Sequence, residues 1–171
     1  RQYGELPLGY DHKYVYSHFG FNLKATEMQA SIGCAQLDKF PSFVEKRKEN
    51  FNTLKSLLKC VEDKLILPEA CENSDPSWFG FMITCKDGVS KNKVVQYCEE
   101  KGVQTRMLFS GNIIRQPVFD EMRKSGEGYR VVGNLTVTDQ VMNNSFWIGV
   151  YPGMTDDMLR YMAKTIIEAI E

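Results

Sequence analysis

Segments with the 3.6-residue periodicity of amphipathic helices alternate along this chain with short segments rich in β-branched and aromatic residues. This alternation constrains the fold most, because it leaves only architectures that pack helices against a sheet. The pattern predicts helices over 26–40 and about 42–60, separated where Pro41 interrupts the periodicity. Further helices are predicted from Ser90 to just before Gly102, over 116–124, over 137–144 and after Thr155, and strands over 65–67, 78–85, 103–109 and 146–150. The fold class is therefore α/β, or α+β with helices on one face of a sheet.

The first helix carries the strongest local signals. Thr26 and Gln29 have the spacing of a capping box, in which each side chain bonds the other residue's backbone N–H. Small residues follow, which allow another backbone to come close and so favour a tightly packed helix over an exposed one; they are Ala30, Ser31, Gly33 and Ala35.

Charge and hydropathy exclude two classes of partner. The chain has 171 residues, with 21 basic and 22 acidic side chains and a net charge of -1. That balance provides no electrostatic footprint for nucleic acid. No apolar run approaches the roughly 20 residues of a membrane helix, so we expect no membrane partner.

Cysteine and histidine usage predicts a cytoplasmic protein without a metal site. Five cysteines lie far apart without CxxC spacing, which is typical of reduced thiols. Burial is the ordinary interpretation for Cys34, Cys60 and Cys98, which lie in helical patterns. His12 and His18 are the only histidines, and we expect structural hydrogen bonds rather than metal ligation from them.

Three positions are ambiguous from the residues alone. Asn22 precedes the first helix, where its side chain either bonds the local backbone or adds a donor to a phosphate at the helix N-terminus. Arg106 ends a predicted strand beside a polar turn, which suits either an anionic ligand or a surface salt bridge. Phe79 lies in an aromatic run, 78–81, that either lines a pocket or belongs to the core.

Several stretches together resemble one protein family. These are "GFNLKATEMQASIGCAQL" (20–37), "GYDHKYVYSH" (9–18), "DPSWFGFMIT" (75–84), "TRMLFSGNIIRQPVF" (105–119) and "FWIGVYPGMT" (146–155). They are similar to motifs of the DegT/DnrJ/EryC1/StrS sugar aminotransferases. Within that family, they resemble the dehydratases of 3,6-dideoxysugar synthesis, which serve lipopolysaccharide biosynthesis and depend on pyridoxamine 5'-phosphate.

The resemblance implies the C-terminal small domain of a fold type I aminotransferase-like protein, in which helices flank a sheet. The full-length protein would depend on pyridoxal or pyridoxamine 5'-phosphate. Residues 1–25 would continue from a missing cofactor-binding large domain, and 26–171 would form the small domain. The catalytic base, histidine or lysine, would lie upstream. The resemblance also places the ligands of a [2Fe-2S] cluster upstream, and none of the five cysteines here matches them. The fragment alone would be inactive.

The same resemblance implies partners and roles for five residues. The partners are a second copy in a homodimer, an NADH-dependent iron–sulfur or flavin reductase, and a nucleotide-linked 4-keto-6-deoxyhexose as the substrate. Asn22 would reach the cofactor phosphate of the other subunit, and Phe79 would lie beside the cofactor. Arg106 and Asn112 would lie near the substrate. Gln140 replaces a family arginine in a Thr-Asp-Arg context, so the pocket would keep a hydrogen bond and lose a charge.

Two alternatives remain open from the sequence. One is a pyridoxal-phosphate aminotransferase that makes an amino sugar, in which a lysine replaces the upstream histidine. The other, from a different class, is an interaction or dimerisation module without catalysis, with the small-residue face of 26–37 as its partner surface.

Overall fold

The computed structural model of the chain describes residues 4–8, 11, 13, 15–16, 18–21 and 23–171. The chain forms two compact units, one of residues 1–39 and the other of residues 40–171. His12 and Asn22, for which the sequence predicted roles, lie outside the described residues.

A single helix, α1 (Glu27–Leu58), replaces the two helices that the sequence predicted. The prediction of a helix break at Pro41 was therefore wrong. Proline removes one backbone donor and fixes φ near the helical value, and both flanking segments have strong helical patterns, so α1 continues through it. The capping box is confirmed: the Thr26 N–H donates to Gln29 Oε1 over 2.9 Å, and the Gln29 N–H donates to Thr26 Oγ1 over 3.3 Å.

The other elements follow the predicted order, with the first three strands shorter than predicted and the fourth shifted by one residue. They are β1 (Leu65–Ile66), β2 (Gly80–Cys85), α2 (Lys91–Glu100), β3 (Thr105–Met107), α3 (Asp120–Ser125), α4 (Thr136–Asn144), β4 (Ser145–Gly149) and α5 (Asp156–Ala169). Short 3-10 turns cover Lys59–Val61, Ile113–Arg115 and Pro117–Phe119. The predicted caps are confirmed: Thr155 accepts from the Met158 N–H, and Gly102 follows α2 at φ +76°.

The four strands form one sheet in the order β1-β2-β4-β3, and every neighbouring pair is antiparallel. This pairing selects the α+β alternative. The register places Phe81 opposite Ile148 and Ile83 opposite Phe146. Because side chains alternate between the faces of a sheet, all four project to the same face, where each is fully buried.

Three helices cover that core face. α1 contributes Phe51, Leu54 and Leu58 to the apolar cluster, α2 contributes Val94 and Cys98, and α5 contributes Leu159, Ala163 and Ile166. The apolar spacing along each helix therefore matches its buried stripe. The sheet with helices on one face confirms the predicted class.

The first part of α1 does not pack as the sequence predicted. Its residues 27–37 are exposed in this chain, including the small residues that favoured close packing. Cysteine burial was also partly wrong, because Cys98 is buried but Cys34 and Cys60 are exposed. Among the described residues, no helix combines the length and the apolar character needed to cross a membrane.

Truncation of Leu54 tests the assignment of the core. Leu54 is fully buried, so Leu54→Ala should lower the free energy of unfolding by about 2–5 kcal/mol, measured by urea denaturation. Leu37→Ala is the matched control, because Leu37 lies on the same helix but is 69% exposed; it should change stability by no more than about 0.5 kcal/mol. Equal losses from both variants would contradict this core.

Candidate functional site

The sheet face opposite the core carries an open cavity of about 270 Å³, which we name the aromatic pocket. The register that buries Phe81 and Ile148 turns Met82 and Trp147 to this other face. The pocket is lined by Pro68, Glu69, Trp78, Phe79, Gly80, Met82, Leu108, Phe109 and Trp147. Most of these side chains are apolar, and Glu69 is the only charged one among the described residues that line the pocket.

Trp147 forms the floor of the aromatic pocket, and Gly80 makes room for it. A Cβ atom at Gly80 would lie 2.8 Å from Trp147 Cε3, so only glycine lets the indole rest over strand β2. The indole Nε1 donates to the Met107 carbonyl over 3.1 Å, which ties the ring to edge strand β3. The orientation of Trp147 is therefore set from both neighbouring strands.

Two phenylalanines stand beside this indole. The ring of Phe79 meets Trp147 edge-to-face, with centroids 5.4 Å apart at 89°, and the ring of Phe109 lies 6.4 Å away at 40°. Phe79 is 60% exposed, although large aromatic side chains are ordinarily well covered. The geometry suits contact with a flat, uncharged group.

The sequence allowed the aromatic run 78–81 to line a pocket or to belong to the core, and its residues do both. Phe79 lines the pocket, whereas Phe81 is fully buried in the core. Trp78 contributes to both, since it lines the pocket and its ring centroid lies 4.7 Å from that of Phe51.

Arg106 is exposed on β3, opposite Trp147 in the register. Its Nη1 donates to the Thr105 carbonyl over 3.0 Å, and the Gln104 carboxamide lies within 3.0 Å of both terminal nitrogens. These hydrogen bonds are to neutral groups, but Arg106 also interacts electrostatically with the Glu99 carboxylate. Anion binding by Arg106 therefore stays a prediction, with Glu99 as a competing charge.

Asn112 is 2% exposed and bonds helix α4. Its Nδ2 donates to Asp139 Oδ1 over 2.8 Å, and Arg115 donates to both oxygens of the same carboxylate over 2.5 Å. The hydrogen bonds from Arg115 and Asn112 lower the pKa of Asp139 to about 2, and the Asp139 carboxylate raises the pKa of Arg115. The carboxylate thus stays charged at neutral pH and links α4 to the turn after β3.

Gln140 is exposed on α4, next to Asp139 in the chain. The structure therefore connects two of the predicted residues through one ion pair: Asn112 bonds Asp139, and Gln140 is its neighbour. Phe79 and Arg106 belong to the other side of the site, with Trp147 between them in the sheet. Asn22 lies outside the described residues.

Sequence reasoning missed four residues that shape this site: Phe109, Arg115, Asp139 and Trp147. Arg115 and Asp139 are 24 residues apart and have no periodic relation, so only the tertiary fold reveals the pair. Phe109 has one signal, an aromatic residue directly before Ser-Gly, but its φ of +48° is visible only in the structure. Among the residues that the structure describes, no three His, Cys, Asp or Glu side chains could together hold a metal ion.

Comparisons with known proteins agree with this fold. The model of the DegT/DnrJ/EryC1/StrS aminotransferase family matches residues 1–167. The chain is 52% identical over 98% of its length to the lipopolysaccharide biosynthesis protein RfbH of Salmonella typhimurium, covering 38% of that protein. It is 43% identical over 98% of its length to the dTDP-4-dehydro-2,6-dideoxy-D-glucose 3-dehydratase of Saccharopolyspora spinosa, covering 35% of it. The chain thus spans little more than a third of these relatives.

A solved structure shows the same fold at lower identity. The E. coli GDP-4-keto-6-deoxy-D-mannose-3-dehydratase with bound hydrated PLP superposes with a TM-score of 0.74 at 23% identity. The match covers 90% of this chain and 38% of that protein. The aminotransferase-like fold expected from the sequence motifs is confirmed.

A pair of glycine substitutions tests how closely the turn approaches α4. Gly111 has φ +60°, and a Cβ atom there would lie 2.4 Å from Met142 Cγ. Gly111→Ala should therefore cost about 1–3 kcal/mol more than Gly126→Ala, measured by urea denaturation. Gly126 has φ +75° but no atom within 4 Å of its Cβ position, so it reports the backbone cost alone. Equal costs at the two positions would refute the close approach.

Acid titration tests the Asp139 ion pair. The folded-state pKa of about 2 lies below the ordinary 3.8, so the pair stabilises the fold above about pH 4. This contribution is lost as the pH falls through 2. The difference in Tm between the wild type and Asp139→Asn should be small, because the pair is accessible to solvent, but it should be largest above pH 4 and shrink towards pH 2. A difference that is constant over that range would show that the carboxylate charge is not involved.

Proposed function

The chain belongs to the DegT/DnrJ/EryC1/StrS aminotransferase family, and we propose that it is the small-domain part of a pyridoxamine-phosphate-dependent nucleotide-sugar 3-dehydratase. One observation carries this proposal: similarity to RfbH and to a 3-dehydratase extends over 98% of the chain, at 52% and 43% identity. The reaction is C3 deoxygenation of a nucleotide-linked 4-keto-6-deoxyhexose in O-antigen or lipopolysaccharide synthesis. The fragment alone is inactive in this proposal.

The domain arrangement is part of the same proposal. Residues 1–25 continue from a cofactor-binding large domain, and residues 26–171 form the small domain. The relatives are between two and three times as long as this chain, which leaves room for such a domain. The catalytic base belongs to the large domain.

The aromatic pocket fits one part of the pyridoxal or pyridoxamine 5'-phosphate cofactor. Phe79 and Trp147 offer aromatic surface to a flat ring, while the pocket lining contains no cationic side chain for a phosphate. The described residues therefore account for contact with the cofactor ring, and the phosphate needs donors from elsewhere, among them Asn22 of the other subunit. When bound, the cofactor supplies an amine for the 4-keto group and an electron sink.

Arg106, Asn112 and Gln140 form the substrate side. The Arg106 guanidinium is hydrogen-bonded to neutral groups and can hold an anionic part of the nucleotide sugar, in competition with the charge of Glu99. Asn112 is held by Asp139, and Gln140 is exposed beside it. Glutamine at position 140 offers a hydrogen bond but no charge, so we infer that the phosphates depend more on Arg106.

The remaining partners come from the same inference. A homodimer brings Asn22 to the partner subunit's cofactor. An NADH-dependent iron–sulfur or flavin reductase delivers electrons through a [2Fe-2S] cluster held by the upstream domain. We propose a cytoplasmic location, which suits soluble substrates and reductants of this kind.

An aminotransferase is the second candidate, because the matching family is described as one of aminotransferases. The two candidates differ at the upstream base. The full-length protein should be treated with pyridoxal phosphate and borohydride, digested, and searched by mass spectrometry for a pyridoxyl-lysine. Its presence would reject the dehydratase in favour of the aminotransferase.

The decisive assay gives the full-length protein pyridoxamine phosphate, a reductase with NADH, and CDP-, dTDP- and GDP-linked 4-keto-6-deoxyhexoses in turn. We expect one sugar nucleotide to lose its C3 oxygen, seen by mass spectrometry as a product 16 Da lighter after reduction, as follows from replacing a hydroxyl by hydrogen. Conversion to an amino sugar, or no conversion of any of the three, would contradict the proposal.

Substitution of Asn22 tests the phosphate contact. Asn22→Ala in the full-length dimer removes a hydrogen bond to a charged group, so cofactor should be lost roughly tenfold faster on gel filtration. Asn92→Ala is the control, because Asn92 is exposed on helix α2 and lies outside the lining of the aromatic pocket. Equal retention by both variants would reject the phosphate role.

A further inference from the structure

The turn Leu108–Asn112 holds an aromatic side chain in an unfavourable backbone conformation. Phe109 has φ +48°, a region that bulky side chains seldom occupy, and its ring is 75% exposed. Such a conformation costs on the order of 1–3 kcal/mol and persists only where the surroundings impose it. The contacts that hold this turn therefore determine where the Phe109 ring stands.

The first of these contacts is the Asp139 carboxylate. It accepts one hydrogen bond from Asn112, the last residue of the turn, and two from Arg115 just beyond it. The paired bonds from Arg115 fix the direction of the carboxylate, since a guanidinium and a carboxylate match in only a few orientations. The Asp139 side chain is thus restricted to one orientation, and its hydrogen bond holds Asn112 in place.

Residue Met142 provides the second contact, one helical turn further along α4. The Asn112 N–H lies 3.3 Å from Met142 Sδ, and Gly111 packs directly against the Met142 side chain. Gln116 Nε2 also donates to the Ser110 carbonyl over 2.8 Å. Together these contacts press the turn onto α4 and leave its other side, with Phe109, facing the aromatic pocket.

We propose that Asp139 is a positioning residue: through Asn112 it holds the turn so that Phe109 stands against Trp147 as one wall of the substrate-binding pocket. This inference rests on the proposed function, in which the cofactor amine meets the 4-keto group of the substrate, so that the pocket that contacts the cofactor ring also borders the sugar. Phe109 is the residue that contacts substrate, and Asp139 acts only through it. The wall is apolar, so it receives the uncharged deoxyhexose rather than the diphosphate.

The exposure of the Asp139–Arg115 ion pair argues against a role in global stability alone. The Asp139 and Arg115 side chains are 24% and 57% exposed, and an ion pair this accessible to solvent adds little to the stability of the whole fold. The bonds that it supports are local, from the Phe109 N–H to Met107 and from the Gly111 N–H to Leu108. Loss of the carboxylate should therefore free the turn without unfolding the sheet.

Hydrogen exchange in the full-length protein tests the positioning directly. In Asp139→Asn, the amides of residues 109–115 should exchange about tenfold faster or more, while those of β2 and β4 are unchanged. The control is Glu168→Gln, which removes an ion pair with Lys164 and the charge from the group that accepts a hydrogen bond from Tyr97 on the helical side. Unaltered exchange of the turn in Asp139→Asn overturns the proposal. This readout needs no activity, so it stands even if the proposed reaction fails.

Kinetics test whether Asp139 acts through Phe109. Asp139→Asn and Phe109→Ala should each raise KM for the sugar nucleotide by about tenfold and change kcat by less than about twofold. The double variant should raise KM no further than Phe109→Ala alone, because both changes remove the same wall. Two results would overturn the proposal. One is a KM increase in the double variant equal to the product of the two single increases, and the other is an unchanged KM in Asp139→Asn although the turn exchanges faster.

Discussion

The antiparallel register of β2 and β4 is the constraint on which the rest of this structure depends. It places Phe81 and Ile83 opposite Ile148 and Phe146, and helices α1, α2 and α5 bury that face. A shift by one residue would exchange the two faces of the sheet. The same register therefore decides that Trp147 turns away from the core and into the aromatic pocket.

The turn after β3 completes the pocket by a different means. Core packing does not reach it, and its conformation depends on polar contacts to α4, chiefly the Asp139 carboxylate with Asn112 and Arg115. The apolar face of the sheet is thus fixed by core packing, and one ion pair holds the turn on the other side of the site. This division explains how Phe109 keeps a positive φ at an exposed position.

Local sequence signals predicted much of the fold. The site residues that the sequence missed depend on contacts between residues distant in the chain. The caps at Thr26 and Thr155 act within one helical turn and were predicted correctly. The break at Pro41 was wrong, because the helical patterns on both sides of Pro41 outweigh the cost of an interior proline. Motif resemblance selected Phe79, which lines the pocket, but no periodicity links Arg115 to Asp139, and the place of Trp147 depends on Gly80 in another strand.

The central claim is that the sheet face opposite the core closes a cofactor site. Retention of pyridoxamine phosphate by the full-length protein, followed through gel filtration, tests it most directly. Phe79→Ala should lose cofactor several-fold faster than the wild type, because an exposed aromatic contact is removed. Ile66→Ala, on a half-exposed side chain outside the pocket lining, should retain cofactor as the wild type does. Wild-type retention by Phe79→Ala would contradict the account.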